Sequence, residues 1–275
     1  MANTKIEWAE KVWNPTTGCS HAGSPGCDNC YAKRMANRLK GRYGYPKDDP
    51  FRVIFHSDRL EEPLHWKKPS RIFVVSMGDI FHDDVDGFWL SAIWSIIERA
   101  YWHTFLILTK RPERFGRLTP SLPFYKNIWL GVSVENQRTA DERIPILLQI
   151  PAAKRFVSVE PMLNEVDFTY GTGVVTFSPD DDNPAWLEGL DWVICGGETG
   201  PKARPMHSDW VRSLRDQCQA ASVPFFFKSW GEWKPWAIED PNIRKTWSDA
   251  PDFKKFGYKE LRHFLDGKEY REFPK

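Results

Sequence analysis

The sequence predicts an α/β protein, a TIM-like (β/α) barrel, partial or complete, with six to eight parallel strands, a hairpin-like insertion and a C-terminal extension. Three observations predict it. Short runs rich in Val, Ile, Leu and Phe recur along the 275 residues. Polar turns and capped helical stretches separate them, and their number approaches the eight strands of a closed barrel. Nearly continuous apolar runs suit strands covered on both faces, and alternation with helices suits βαβ units.

The predicted strands lie near 11–14 and at 52–56, 72–76, 104–109, 128–133, 155–159, 192–195 and 224–228. Asp28 is placed to cap a helix carrying Tyr31, Met35 and Leu39 on one face, Asp86 one with Trp89, Ile93 and Ile97, and Ser208 one with Val211, Leu214 and Cys218. A further helix after Glu135 turns Asp141, Glu142 and Arg143 outward and Leu147 and Leu148 inward, with Pro145 disturbing its middle. Around 165–190 the rhythm breaks: Gly171, Gly173, Pro179 and three consecutive Asp interrupt a β-prone run at 174–177, as in an inserted hairpin. The expected division is a barrel over 1–235 and an extension over 236–275, where Asp266-Gly267 signals a tight turn.

Composition narrows the function classes. With 38 basic and 37 acidic residues, bulk charge neither favours nor excludes a polyanionic partner. No apolar run reaches the roughly 20 residues a bilayer demands, and the N-terminus lacks the apolar centre of a signal peptide, so a soluble, cytoplasmic protein with no membrane partner is expected. The 14 Trp sit mostly beside apolar runs, where large rings fill a core.

Cysteine usage carries the chemistry. Of five Cys, Cys19, Cys27 and Cys30 fall within twelve positions, while Cys195 and Cys218 stand apart in apolar contexts and read as structural. Three thiolates on a loop that opens into a helix can each hold one iron of a [4Fe–4S] cubane and leave the fourth iron open. The same loop offers His21, which would complete a Cys₃His zinc site. On spacing alone a cluster, a zinc ion and a merely packed triplet all remain open.

Several strings together resemble a known family. They are Lys5-Ile6-Glu7-Trp8, Trp13-Asn14-Pro15, Thr17-Gly18-Cys19, Gly26-Cys27-Asp28-Asn29-Cys30-Tyr31-Ala32, Thr109-Lys110-Arg111-Pro112-Glu113-Arg114, Gly131-Val132-Ser133-Val134-Glu135, Ser158-Val159-Glu160-Pro161 and Gly196-Gly197-Glu198. They resemble the phage-associated three-Cys-motif family, a divergent branch similar to the radical S-adenosylmethionine (SAM) enzymes. The usual motif of those enzymes has three residues between the first two cysteines and an aromatic before the third; here there are seven, and Tyr31 follows Cys30.

The resemblance implies a [4Fe–4S] cluster on Cys19, Cys27 and Cys30, with SAM as second cofactor and an electron donor such as flavodoxin or ferredoxin. SAM would be cleaved reductively to methionine and a 5′-deoxyadenosyl radical that takes hydrogen from a substrate. Met77-Gly78-Asp79, after an early strand, is placed to bind the SAM amino group. Ser133 and Glu135 fall on its carboxylate and ribose side, and Gly197-Glu198 fall to ribose or substrate.

In a barrel, reacting groups sit after the C-terminal strand ends, where Lys110, Glu160 and Lys228 are the expected catalytic residues. Three basic clusters occur: Lys33, Arg34, Arg38, Lys40 and Arg42; Lys67, Lys68 and Arg71; Arg111, Arg114 and Arg117. They suit a nucleic-acid or nucleotide substrate, although solvated helix faces look the same. Two other readings stand beside the enzyme. One is a non-catalytic nucleic-acid-binding protein clipped by zinc or a cluster. The other is a hydrolase using Glu135 and Glu160, which leaves the cysteines unexplained.

Overall fold

The computed structural model describes residues 4, 6–118, 123–169, 186–235, 253–255 and 263–275. In chain order these form β1 (Lys11–Trp13), β2 (Thr16–Thr17), α1 (Tyr31–Leu39), β3 (Ile54–Phe55), β4 (Arg71–Val74), α2 (Gly87–Arg99), β5 (Thr104–Thr109), α3 (Pro112–Leu118) and β6 (Ile128–Val134). They continue as α4 (Gln137–Leu148), β7 (Lys154–Val159), β8 (Trp192–Gly196), α5 (Ser208–Ala220), β9 (Phe225–Ser229), β10 (Trp233–Pro235), β11 (Phe253–Lys255), β12 (Phe264–Leu265) and β13 (Lys268–Glu269).

Seven parallel strands make one sheet in the order β1-β4-β5-β6-β7-β8-β9. Every residue of β8 is buried, and β5 and β6 are nearly so, which is why these segments read as continuous apolar runs. Since β1 and β9 end the order, the described sheet is the partial form of the expected barrel. The predicted strand at 52–56 is not part of it. Only Ile54 and Phe55 pair, antiparallel, with Thr17 and Thr16, because a two-residue run following a tight turn finds the nearest free edge rather than a place in the sheet.

Two compact units share the chain, residues 1–133 with 143–156, and residues 134–142 with 157–275. In the first, Trp13, Ile72, Val74, Phe105, Ile107 and Leu130 are buried, and Trp13 meets Phe105 edge-on at 5.7 Å. Asp86 caps α2 as expected, accepting from the Trp89 N–H at 2.8 Å, and Ile93 and Ile97 are fully buried. In α1, by contrast, the cap is Cys30 and not Asp28, which lies beyond a 3₁₀ turn over Pro25–Cys27. Tyr31 is turned outward, while Ala32, Ala36 and Leu39 pack with Tyr45 and Phe51.

Arg143 also departs from expectation. It is 4% exposed, and its guanidinium donates to Ser133 O at 2.6 Å, a buried charge held by a charge-assisted bond to the end of β6. Leu147 is buried as expected, and α4 runs through Pro145.

In the second unit Trp192, Phe225, Phe226 and Phe227 form the core with Val211, Leu214 and Cys218 of α5. Cys195 and Cys218 are both fully buried, and burial pushes both thiols up, as structural cysteines require. His207 caps α5, one residue before the expected Ser208. The chain end returns along β9: Phe227 N donates to Tyr270 O and Glu272 N to Phe225 O. Asp266 and Gly267 both take positive φ and turn the β12–β13 hairpin, as the Asp-Gly pair predicts. The β-prone run at 174–177 lies outside the described residues.

Asp266 also fastens this hairpin to α5. Its carboxylate accepts from Arg212 Nε at 3.0 Å and Nη2 at 2.7 Å, and from Arg215 Nη1 at 2.9 Å. The Arg212 hydrogen bonds, with those from Arg215, hold its carboxyl below the usual range. A depressed carboxylate stabilises the fold fully above its unfolded value of about 3.9, and this contribution is lost as pH falls through the lower folded value. Melting temperatures followed from pH 7 to pH 3 are therefore expected to show a margin of wild type over Asp266→Asn that shrinks below about pH 4. A margin that grows on acidification would contradict the clamp.

Candidate functional site

Strand β2 and Gly18 after it carry the chain from β1 into the cysteine loop. Gly18 has φ +92° and lies against the backbone: a Cβ there would meet Arg52 O at 2.0 Å. A Cβ on Gly78 would meet Gly18 O at 2.4 Å, and the two glycines form a parallel bridge with Gly18 N donating to Met77 O at 2.9 Å. Two glycines thus let the cysteine loop lie directly on the loop after β4. Only glycine permits that approach and that φ.

Beyond this contact is a cavity of about 180 Å³, lined by Cys19, Cys27, Cys30, Gly78, Asp79, Lys110 and Ser133 among others. A cavity of roughly 150 Å³ holds a benzene-sized guest, so this one admits a group larger than a bare ion. Its floor is the C-terminal ends of β4, β5 and β6, contributed by Phe73, Val75, Leu108, Thr109 and Ser133. All of these residues belong to the first unit.

The three thiols are free and part-exposed. Cys30 stands at the α1 N-terminus, where its Sγ accepts from Lys33 N at 3.5 Å. Burial, then the Asp79 carboxylate, push the Cys19 thiol up to about 12. Without metal it stays protonated at neutral pH, and ligation there has to expel a proton.

Asp79 is 6% exposed and held by three donors. Thr109 Oγ1 lies 2.8 and 3.0 Å from its two oxygens, Phe81 N donates to Oδ1 at 3.0 Å, and Lys110 N donates to Oδ2 at 3.0 Å. A carboxylate has about four acceptor positions, so about one is left for a guest. Asp79 both faces the cavity and ties the loops after β4 and β5 together.

Sequence reasoning singled out Arg111 as a cation but missed Ser20 and His82 at the rim. Ser20 Oγ lies 2.7 Å from His82 Nε2, and Arg111 Nη2 donates to the same oxygen at 3.0 Å. His82 Nδ1 accepts from Asp84 N, so the ring proton sits on Nε2 and points at Ser20. Burial and then Arg111 lower the His82 pKa, which keeps the ring neutral. Ser20 and His82 are 62 residues apart, and no local pattern links them. Thr109 stood in the family string, but nothing in its spacing marks it as the clamp on Asp79.

The remaining predicted residues are placed as follows. Met77 packs against Ala36, Tyr45 and Phe51 and does not line the cavity. In the second unit Glu135 is fully buried, its N–H donating to Thr139 Oγ1 at 2.9 Å. Lys228 Nζ is ion-paired to Glu160, and a Cβ on Gly196 would lie 3.5 Å from both side chains. Glu198 is 6% exposed and accepts three bonds from Arg204: from N at 2.8 Å, Nε at 2.9 Å and Nη2 at 2.6 Å. Gly197 lies against the Trp230 carbonyl.

Cys19, Cys27 and Cys30 line one cavity, and three thiolates are a donor set that a [4Fe–4S] cubane accepts; among the described residues no three His, Cys, Asp or Glu side chains converge on a single ion position. Both His21 ring nitrogens are engaged, Nε2 with Asp28 at 3.0 Å and Nδ1 with Gly23 N at 3.1 Å. Zinc ligation by His21 would have to break one of these bonds.

The glycine contact gives a direct test of the loop's placement. Gly18→Ala is expected to cost about 1–3 kcal/mol from the backbone conformation alone, with the Arg52 clash in addition. Reconstituted iron per chain should fall with it. Wild-type iron content and melting temperature in Gly18→Ala would contradict the placement.

No curated protein matches the chain. Among solved structures, spore photoproduct lyase complexed with dinucleoside spore photoproduct is similar at TM-score 0.46 and 13% identity, over 78% of this chain and 62% of that one. A cysteine-to-alanine mutant with the same dinucleoside gives 0.44 and 12%, over 86% and 67%. A cysteine-to-serine mutant gives 0.44 and 13%, over 85% and 67%. The chain thus spans 62% of the length of the first of these structures. The family described as "Protein of unknown function (DUF5131)" matches residues 3–274, and the chain belongs to that family.

Proposed function

We propose that this protein is a radical SAM-type enzyme that holds a [4Fe–4S] cluster on Cys19, Cys27 and Cys30 and acts on a nucleic-acid or nucleotide substrate. The observation that carries this reading is that all three cysteines, with Asp79 and Lys110, line one cavity at the ends of parallel strands. The sequence resemblance set out above supports it independently.

Within this reading the chain's own residues have distinct tasks. Cys19, Cys27 and Cys30 would hold the cluster, which when bound and reduced would supply the electron for reductive cleavage of SAM. Asp79 offers its remaining acceptor position to the SAM amino group while holding the Thr109 hydroxyl and the Lys110 N–H in place. Ser133 lines the same cavity, and Lys110 adds a positive charge at its edge. Phe73, Val75 and Leu108 exclude water from the floor. In the second unit Glu160 with Lys228, and Glu198 with Arg204, are paired carboxylates suited to binding a polar ligand. A flavodoxin- or ferredoxin-type donor would supply the electron.

The test is anaerobic purification followed by metal and sulfide analysis and calorimetric titration with SAM. Brown protein that binds SAM only when iron-loaded is the expected result. Colourless protein with stoichiometric zinc would overturn the reading.

A further inference from the structure

Residues 29–47 contain Lys33, Arg34, Arg38, Lys40, Arg42 and Lys47 and no acid, bounded by Asp28 and Asp48. The whole chain is formally +1, so the remainder is net acidic and positive charge is concentrated here. Arg34 is half-buried and the other five are exposed. At about 100° per residue, Tyr31, Arg34 and Arg38 share one stripe of α1, opposite the face that packs on Tyr45 and Phe51.

Aromatic faces accompany the charge. Tyr31 is 54% exposed with the Arg34 guanidinium 5.8 Å from its ring centre, and Tyr43, just past the helix end, is 72% exposed. Arg42 is anchored beside Arg38 by donating to its carbonyl. The stripe begins at the cavity: Cys30 caps this helix and Lys33, in its first turn, lines the cavity wall.

We propose that this face of α1 and the turn after it bind single-stranded nucleic acid and lead it to the cysteine cavity. The proposal rests on the functional reading above for the fate of the strand, but not for its binding. Cations alternating with exposed tyrosines suit phosphates flanked by unstacked bases, whereas a duplex hides its base faces. A membrane surface would need apolar side chains pointing outward, and here Ala32, Ala36 and Leu39 point inward.

The experiment is fluorescence anisotropy of a labelled single strand of about 20 nucleotides, longer than a typical single-strand site. It is titrated with metal-free and cluster-loaded protein at several salt concentrations and without SAM. The expected salt slope is about −0.7 per phosphate contacted, or about −2 to −3 for three or four contacts. The triple variant Arg34→Gln, Arg38→Gln, Arg42→Gln should bind at least about tenfold more weakly with a shallower slope, and the corresponding Lys triple should restore both. Tyr31→Ala should weaken binding about fivefold or more and leave the slope unchanged. Arg138→Gln, an exposed control on α4, should bind as wild type.

Wild-type binding by the Gln triple would overturn the proposal, as would equal affinity for duplex, or binding to phosphatidylserine vesicles with none to the oligonucleotide. Circular dichroism melts check that each variant is folded, and a misfolded Gln triple passes the decision to Tyr31→Ala and the Lys triple. Formation of 5′-deoxyadenosine is measured separately without oligonucleotide. Failure of the strand surface and failure of the radical chemistry are therefore read independently.

Discussion

Cys27→Ala is expected to contain almost no iron after anaerobic reconstitution, where wild type carries about four iron and four sulfide per chain. Each thiolate in a three-cysteine site holds a different iron, and the fourth iron already lacks a protein ligand, so nothing replaces a lost sulfur. Cys19→Ala and Cys30→Ala should behave alike despite their different surroundings, one thiol pushed up by burial and the other facing the α1 amides. His21→Ala should keep its iron, since His21 is bonded to Asp28 and Gly23. Iron and sulfide assays on the four variants check this. Loss of metal in His21→Ala to the same degree as in Cys27→Ala would point to a zinc site instead.

The second large effect is expected at Asp79. Asp79→Ala strips the acceptor from Thr109 Oγ1, Lys110 N and Phe81 N, leaving buried donors unsatisfied at about 1–3 kcal/mol each, less whatever water recovers. A substantial fall in melting temperature should follow. Asp79→Asn preserves the shape but turns an amide nitrogen toward at least one N–H donor, so a smaller fall is expected. Because one acceptor position also serves SAM in this account, SAM affinity of the iron-loaded Asn variant should drop roughly tenfold to a hundredfold, the loss of one charge-assisted bond worth about 1.5–3 kcal/mol. Calorimetry on folded, iron-loaded protein separates the two effects. A destabilised variant with undiminished SAM affinity would leave Asp79 a purely structural clamp.

The parallel strands were legible because burial on both faces makes their sequences continuously apolar, as in β5, β6 and β8. The run at 52–56 has the same composition, yet Ile54 and Phe55 pair antiparallel with β2, because β propensity does not specify a partner. The α1 start was misread for a chemical reason: a thiol, and not the nearby carboxylate, takes the cap position, and Asp28 turns to His21 instead. Arg143 looked like a surface residue because charge and helical position suggested it, and its buried acceptor, Ser133 O, is a backbone atom that no sequence pattern marks. The cysteine triplet was readable because its spacing is local. Thr109 on Asp79 and His82 on Ser20 depend on long-range contacts created by the sheet order, and only the fold brings them together.

SAM bound in this cavity should be cleaved reductively. The most direct measurement is 5′-deoxyadenosine released from SAM by cluster-loaded protein under dithionite, with methionine measured in parallel and Cys27→Ala as the blank. Wild type should release both products in equal amounts and the variant neither. Iron-loaded wild type that binds no SAM and releases no 5′-deoxyadenosine under reducing conditions would contradict it.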